Sequence, residues 1–305
     1  MTQQNTRLGI GLMLVTVLLF SFQDALSRHL AELYSVFVVV TLRFWFSASF
    51  AVTQAARHPG GIRAVARTRH PVLQILRGAL LVGEICIIVA SFVKLGLVAT
   101  HAIFVTSPLM VTALSGPVLG EKVGWRRWTA IGVGLVGVLI VIRPGAEVLN
   151  PWVVLPFASA FCFALYGLLT RYVSREDPAQ TSFFWMNIAA AATITPVGLW
   201  HWQWLAGLDW LWMGALCLNA TLAHFLFIRA NEVAEASAIQ PFVYFQLPMV
   251  AILGVIFFGE TLRWNVVAGA AIVVAAGLFT LWREQQLARR QAADRAIQRP
   301  ISDPA

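Results

Sequence analysis

Residues 107–121 read SPLMVTALSGPVLGE, and residues 246–260 read QLPMVAILGVIFFGE. Each stretch opens near a proline, runs through apolar positions and ends in Gly-Glu, with a tryptophan, Trp125 or Trp264, four residues after the acid. Gly120 and Gly259 lie 139 positions apart. With one gap the match continues into the glycine-rich runs GVGLVGVLIV (132–141) and GAAIVVAAGL (269–278). Self-similarity at a long fixed offset marks a duplicated unit, so the chain divides into residues 1–147, residues 148–282 and a tail, 283–305.

The surroundings of these stretches set their solvent. The chain has 305 residues, 59% hydrophobic and 12% charged, whereas about a quarter of residues are charged in soluble proteins. The apolar residues gather in runs of about twenty, the length a helix needs to cross roughly 30 Å of hydrocarbon. Ten runs are expected, near residues 8–26, 34–54, 72–93, 98–119, 128–143, 152–173, 181–200, 210–228, 237–258 and 265–282. The fold class is therefore an all-α membrane protein of two five-helix repeats. Because five is odd, the second repeat enters the bilayer from the opposite side, and inverted repeats of this kind place a binding site between the halves.

The formal charge of +8 reflects topology and gives no reason to expect a nucleic-acid partner. Only Arg28, Lys94, Arg143 and Arg263 fall at the ends away from the termini, and Arg43 falls inside a run; the other basic residues lie on the side shared by both termini. Retention of Lys and Arg in short cytoplasmic loops then places both termini in the cytoplasm. Cys86, Cys162 and Cys217 sit inside runs without metal-ligand spacing, and most of the 12 tryptophans sit at run ends, where interfacial indoles belong. No phosphate-binding glycine loop, HExxH or GxSxG motif is present. An enzyme, a cofactor and a metal are accordingly not expected.

The two Gly-Glu stretches and the ten duplicated runs resemble the drug/metabolite transporter superfamily, in particular its EamA-type exporters, over roughly residues 8–282. Within it the chain is similar to bacterial amino-acid exporters, including those for aromatic amino acids. The resemblance implies alternating access in the inner membrane, a small-molecule partner and export. Pro108, Glu121 and Glu260 match motif positions, and Arg43 falls where such proteins often carry an arginine. Pro248 departs by one position, lying 12 residues before its glutamate where Pro108 lies 13 before its own.

Charged and polar groups inside hydrocarbon are costly and mark function or structure. Arg43 and Glu84 fall about 13 Å below one surface by helical rise, so they are expected either to pair or to offer Glu84 to a substrate or proton. Asp24 and Arg28, four apart, are expected to pair along one helix face, with Gln23 facing elsewhere. Asn219 and His224 in the eighth run join Gln240, Pro241, Tyr244, Gln246 and Pro248 in the ninth as candidate cavity residues, with His101, Thr106 and Tyr166 as additions. Prolines there free backbone carbonyls that neighbours or cavity water must satisfy. Glu121 and Glu260 are expected to fix turns that Gly120 and Gly259 permit, or else to carry ions. Small residues in the last run of each repeat (Ala130, Gly134, Gly137; Gly269, Val273, Gly277) suit packing inside a monomer or a weak homodimer. The charged tail is expected to lack order and to graze anionic lipid.

Overall fold

A computed structural model describes residues 6–119, 125–142, 151–234, 239 and 242–298. Among these residues all regular structure is helical. Hydrocarbon offers no partner for a free N–H or C=O, which forces spanning segments into helices. The helices are α1 (Thr6–Leu33), α2 (Val36–Ala56), α3 (Gly61–Val65), α4 (Pro71–Leu95), α5 (Leu97–Phe104), α6 (Ser107–Leu119), α7 (Trp125–Ile142), α8 (Val154–Val173), α9 (Ala179–Trp200), α10 (Asp209–Val233), α11 (Gln246–Phe258) and α12 (Trp264–Gln298).

Six of them, α1, α2, α4, α8, α9 and α10, are long and apolar enough to cross a membrane. Shorter apolar stretches at Leu97–Val111, Ile131–Val141, Gln246–Phe258 and Trp264–Phe279 fall where the remaining four runs are expected. Two of those four differ from the sequence expectation. The fourth run is broken at Val105 and Thr106 into α5 and α6, and the ninth turns at Tyr244 and Phe245 before α11 begins. Pro108 is the second residue of α6 and Pro248 the third of α11, inside first turns whose N–H groups have no intrahelical acceptor, so the missing donor costs little there. The third difference is at the end of the chain, where α12 continues to Gln298 across residues expected to lack order.

Helix α1 packs chiefly on α10, α4 on α8 and α9, α2 on α9, and α7 on α12. The α7 and α12 backbones meet at their small residues: a Cβ on Gly137 would come within 2.8 Å of the Gly269 carbonyl oxygen and 2.9 Å of Val273. That glycine face is covered within the chain. The outward surface carries large apolar side chains such as Val72, Leu139, Leu211 and Ile256, which suits contact with lipid tails.

Connecting loops are tied to one another at both ends of the bundle. At one end the Tyr34 hydroxyl donates to Asp209 (2.6 Å) and accepts the Ala206 N–H (2.9 Å). The bond to Asp209 holds the Tyr34 phenol above its usual pKa. At the other end Asp177 accepts from Thr68, from the Arg69 N–H (3.3 Å) and from Gln74 (2.8 Å). Gln74 also accepts from Arg77, which sits fully buried in α4 beside Thr170. Arg77 is one of the basic residues expected on the side of the termini, and its bonds to Thr170 and Gln74 account for its burial there.

Candidate functional site

Helices α1, α2, α4, α5, α8, α10 and α11 line a cavity of about 50 Å³. Its polar groups come from six of them: Gln23, Asp24 and Ser27 on α1, Arg43 on α2, Glu84 on α4, His101 on α5, His224 on α10 and Gln246 on α11. Phe20, Phe104, Phe163 and the aliphatic residues Ile85, Ile88 and Val89 form the apolar walls. Residues from both ends of the chain meet here because α1 lies against α10 and α11.

Arg43 is 3% exposed and Glu84 5%, yet the expected ion pair between them is not made. Glu84 Oε1 instead accepts the Ser159 hydroxyl at 2.8 Å. The Arg43 guanidinium stands over the Phe44 ring at 5.4 Å and 3.5 Å from His224 Nδ1. That nitrogen lies 3.1 Å from the Ala220 carbonyl, to which it donates; carrying the hydrogen, it has no lone pair for Arg43. Both residues line the same cavity, with no ion-pair distance between them. Among the described residues Arg43 is thus a buried cation without a carboxylate within ion-pair distance, lining the same cavity as a carboxylate bonded to a neutral hydroxyl. The Gln23 side-chain oxygen is buried with no hydrogen-bond partner among the described residues.

The expected Asp24–Arg28 pair is also replaced. Asp24 Oδ2 accepts Gln246 Nε2 at 2.9 Å and faces His101 Nε2 at 3.1 Å, because it points inward while Arg28, one turn later, points along the helix end. Arg28 pairs with Glu32 at 2.8 Å and with Glu260, and covers the Phe258 ring at 4.0 Å. Glu260 accepts the N–H groups of Leu97 (2.7 Å) and Val98 (2.9 Å), the first residues of α5. A carboxylate at a helix N-terminus satisfies orphan donors and the helix dipole together.

Other candidates lie outside the cavity. Thr106 donates to the Ile103 carbonyl at 2.8 Å and closes the end of α5. Tyr166 is buried, donates to Met186 Sδ at 3.1 Å and lies under Arg77. Half-buried Asn219 and buried Tyr244 lie elsewhere, each with a buried side-chain oxygen that has no hydrogen-bond partner among the described residues, Tyr244 pressed onto Gly277. Pro108 and Pro248 serve the helix starts described above. Glu121, Gln240 and Pro241 lie outside the described residues. Sequence reasoning missed Phe20, Ser27, Phe104, Phe163 and Ser159; their residue types are common in any buried helix, so only the charged neighbours gave a signal.

A helical membrane bundle with a polar cavity drawn from both halves of the chain has the form of a small-molecule carrier. A family model, the EamA-like transporter family, matches residues 7–143 and again 150–282; the chain belongs to this family, within the drug/metabolite transporters. An S-adenosylmethionine uptake transporter of Rickettsia felis is 24% identical over 93% of this chain and 95% of its own length. A riboflavin transporter of Vibrio cholerae is 32% identical over 62% of this chain and 64% of its own. A protein crystal structure with TM-score 0.63 and 16% identity, covering 92% of this chain and 98% of the other, shares the fold. The chain is a transporter and not an enzyme, and a multi-pass membrane protein. Neither relative is named for amino-acid export, the activity the resemblance implied.

Proposed function

We propose that the chain carries small molecules bearing an α-amino acid group across the bacterial inner membrane, by alternating access between two inverted five-helix halves with both termini cytoplasmic. The observation that carries this is the split charge of the cavity. Leaving a buried cation unpaired is strongly destabilising, so the Arg43 guanidinium is matched to a substrate carboxylate. Glu84, with a hydroxyl as its hydrogen-bond partner, is matched to the substrate ammonium, and the phenylalanines to an apolar or aromatic remainder. Free amino acids and S-adenosylmethionine share this carboxylate and ammonium; riboflavin has neither.

Support for inverted halves comes from the helix breaks and the packing. The turns at Val105–Thr106 and Tyr244–Phe245 repeat the 139-residue offset of the Gly-Glu pairs. Exchanging each span of one half for its counterpart turns the α1–α10 contact into α8–α4 and returns α7–α12 and α2–α9 to themselves, and all four contacts are present.

The test is counterflow in proteoliposomes loaded with unlabelled phenylalanine, S-adenosylmethionine or riboflavin, following entry of the labelled compound. Trans-stimulation by the first two, weakened in Arg43→Ala, is expected. Stimulation by riboflavin alone overturns the amino-acid reading and favours a flavin carrier like the Vibrio relative.

A further inference from the structure

We infer that Asp24 and His101 form a proton-binding site that couples transport to proton movement. This goes beyond substrate choice, and rests on the carrier reading only for its transport arm.

The geometry requires a proton. His101 Nδ1 lies 3.1 Å from the Leu97 carbonyl oxygen and Nε2 lies 3.1 Å from Asp24 Oδ2. A carbonyl can only accept, and so can an ionised carboxylate. A neutral imidazole has one N–H and cannot serve both. Two arrangements satisfy both contacts: an imidazolium donating to a carboxylate, or an imidazole donating to Leu97 and accepting from a protonated Asp24; without that proton Nε2 can accept only from Gln246 Nε2, which stands farther off at 3.4 Å and already donates to Asp24. Both contain one proton more than carboxylate plus neutral imidazole. The pair therefore holds a proton as a unit.

The site is buried but within reach of the cavity. Asp24 and His101 are both buried and both line the cavity, with the His101 ring stacked on Phe92 (5.2 Å). Charged and titratable groups around the pair are Arg43 on α2, Glu84 on α4, His224 on α10, Arg28 on α1 and Glu260 beyond α11. Among the described residues lining the cavity, the one permanent cation is Arg43 and the second acid is Glu84. Release transfers the proton to cavity water, leaving the Asp24 carboxylate and a single-N–H imidazole, and the pair goes from neutral to one negative charge. The His101–Asp24 contact must then break, leaving Nε2 to the Gln246 amide 3.4 Å away. That contact joins α1 to α5, while Gln246 ties α11 to the same carboxylate. The three elements are clasped again at their outer end by Arg28, Glu260 and the α5 N–H groups. Protonation thus bears on the junction that must part if the cavity is to open between α1, α5 and α11.

The experiment has a ligand-free arm and a transport arm. Infrared difference titration of detergent-solubilised protein, in the carboxylic C=O and imidazole ring regions, is expected to show one proton step shared by the pair. Asp24→Asn and His101→Gln should each abolish that step. A variant that leaves its partner's titration unchanged shows two independent groups and overturns the proposal, whether or not a substrate is known. In proteoliposomes loaded with a pH-sensitive dye, S-adenosylmethionine entry is expected to shift lumenal pH in the wild type and not in Asp24→Asn. Entry without a wild-type pH shift overturns coupling while leaving the carrier reading intact. Absence of entry for S-adenosylmethionine and phenylalanine alike removes the substrate reading, and the infrared arm still decides the proton site.

Discussion

Arg43 is a cation kept out of water with no carboxylate within ion-pair distance among the described residues, and unlike the equally buried Arg77 it lines the cavity. If its partner is a substrate carboxylate, removing it deletes a charged hydrogen bond of about 1.5–3 kcal/mol, which corresponds to about ten- to a hundred-fold weaker binding. Arg43→Ala is expected to lower affinity by that factor while the protein still elutes as a single folded species; a large loss of folded yield with unchanged affinity in the remainder would assign it to structure. Glu84→Gln keeps the shape and can still accept from Ser159, so amino-acid binding should fall with little change in thermal midpoint. Both residues were legible in the sequence because charge inside an apolar run has few explanations. Their partners were not. Asp24 has an arginine four residues on, the pattern of a helix-surface pair, and nothing local reveals that a histidine 77 positions away comes closer.

At the scale of the element, the instructive segments are the two broken spans. Their prolines were visible, and the residue before a proline tends to leave the α region, yet the turns fall at Val105–Thr106 and Tyr244–Phe245. Placement there depends on where neighbouring helices need a bend, which periodicity does not record. Gly96 starts α5 at φ +85°, and a Cβ there would lie 2.6 Å from the Glu260 carboxylate. Gly96→Ala therefore combines a strained backbone, about 1–3 kcal/mol, with displacement of the anion that caps the helix. A lower thermal midpoint in detergent is expected, and an unchanged one would show that the cap contributes nothing. Gly259, left-handed at φ 62°, turns the chain so that Glu260 reaches α5. The Gly-Glu pair was read as a turn device from sequence; that the acid serves a helix from the other half was not readable, because neither helix end announces its neighbour.

For the molecule as a whole, the long apolar runs made an all-helical membrane protein legible, since a bilayer restricts a chain to few solutions. How the halves interlock depends on side-chain volume at a few contacts. Gly137→Val inserts a branched side chain where the Gly269 carbonyl and Val273 already stand within 3 Å. Overpacking of this kind costs about 1–3 kcal/mol, so the variant should unfold at lower temperature than Gly132→Val, whose site has nothing within 4 Å; equal midpoints would place the α7–α12 contact outside the stable core.

The Glu260 clasp also has a consequence in time. The N–H groups it accepts belong to residues 163 and 162 positions earlier in the chain. At about 5–20 residues per second of synthesis, α5 waits roughly 8 to 33 s after Leu97 is made before its capping carboxylate exists. During biogenesis the first half is an unfinished structure, dependent on lipid headgroups, water or an insertion factor to cover that helix end until the second half arrives.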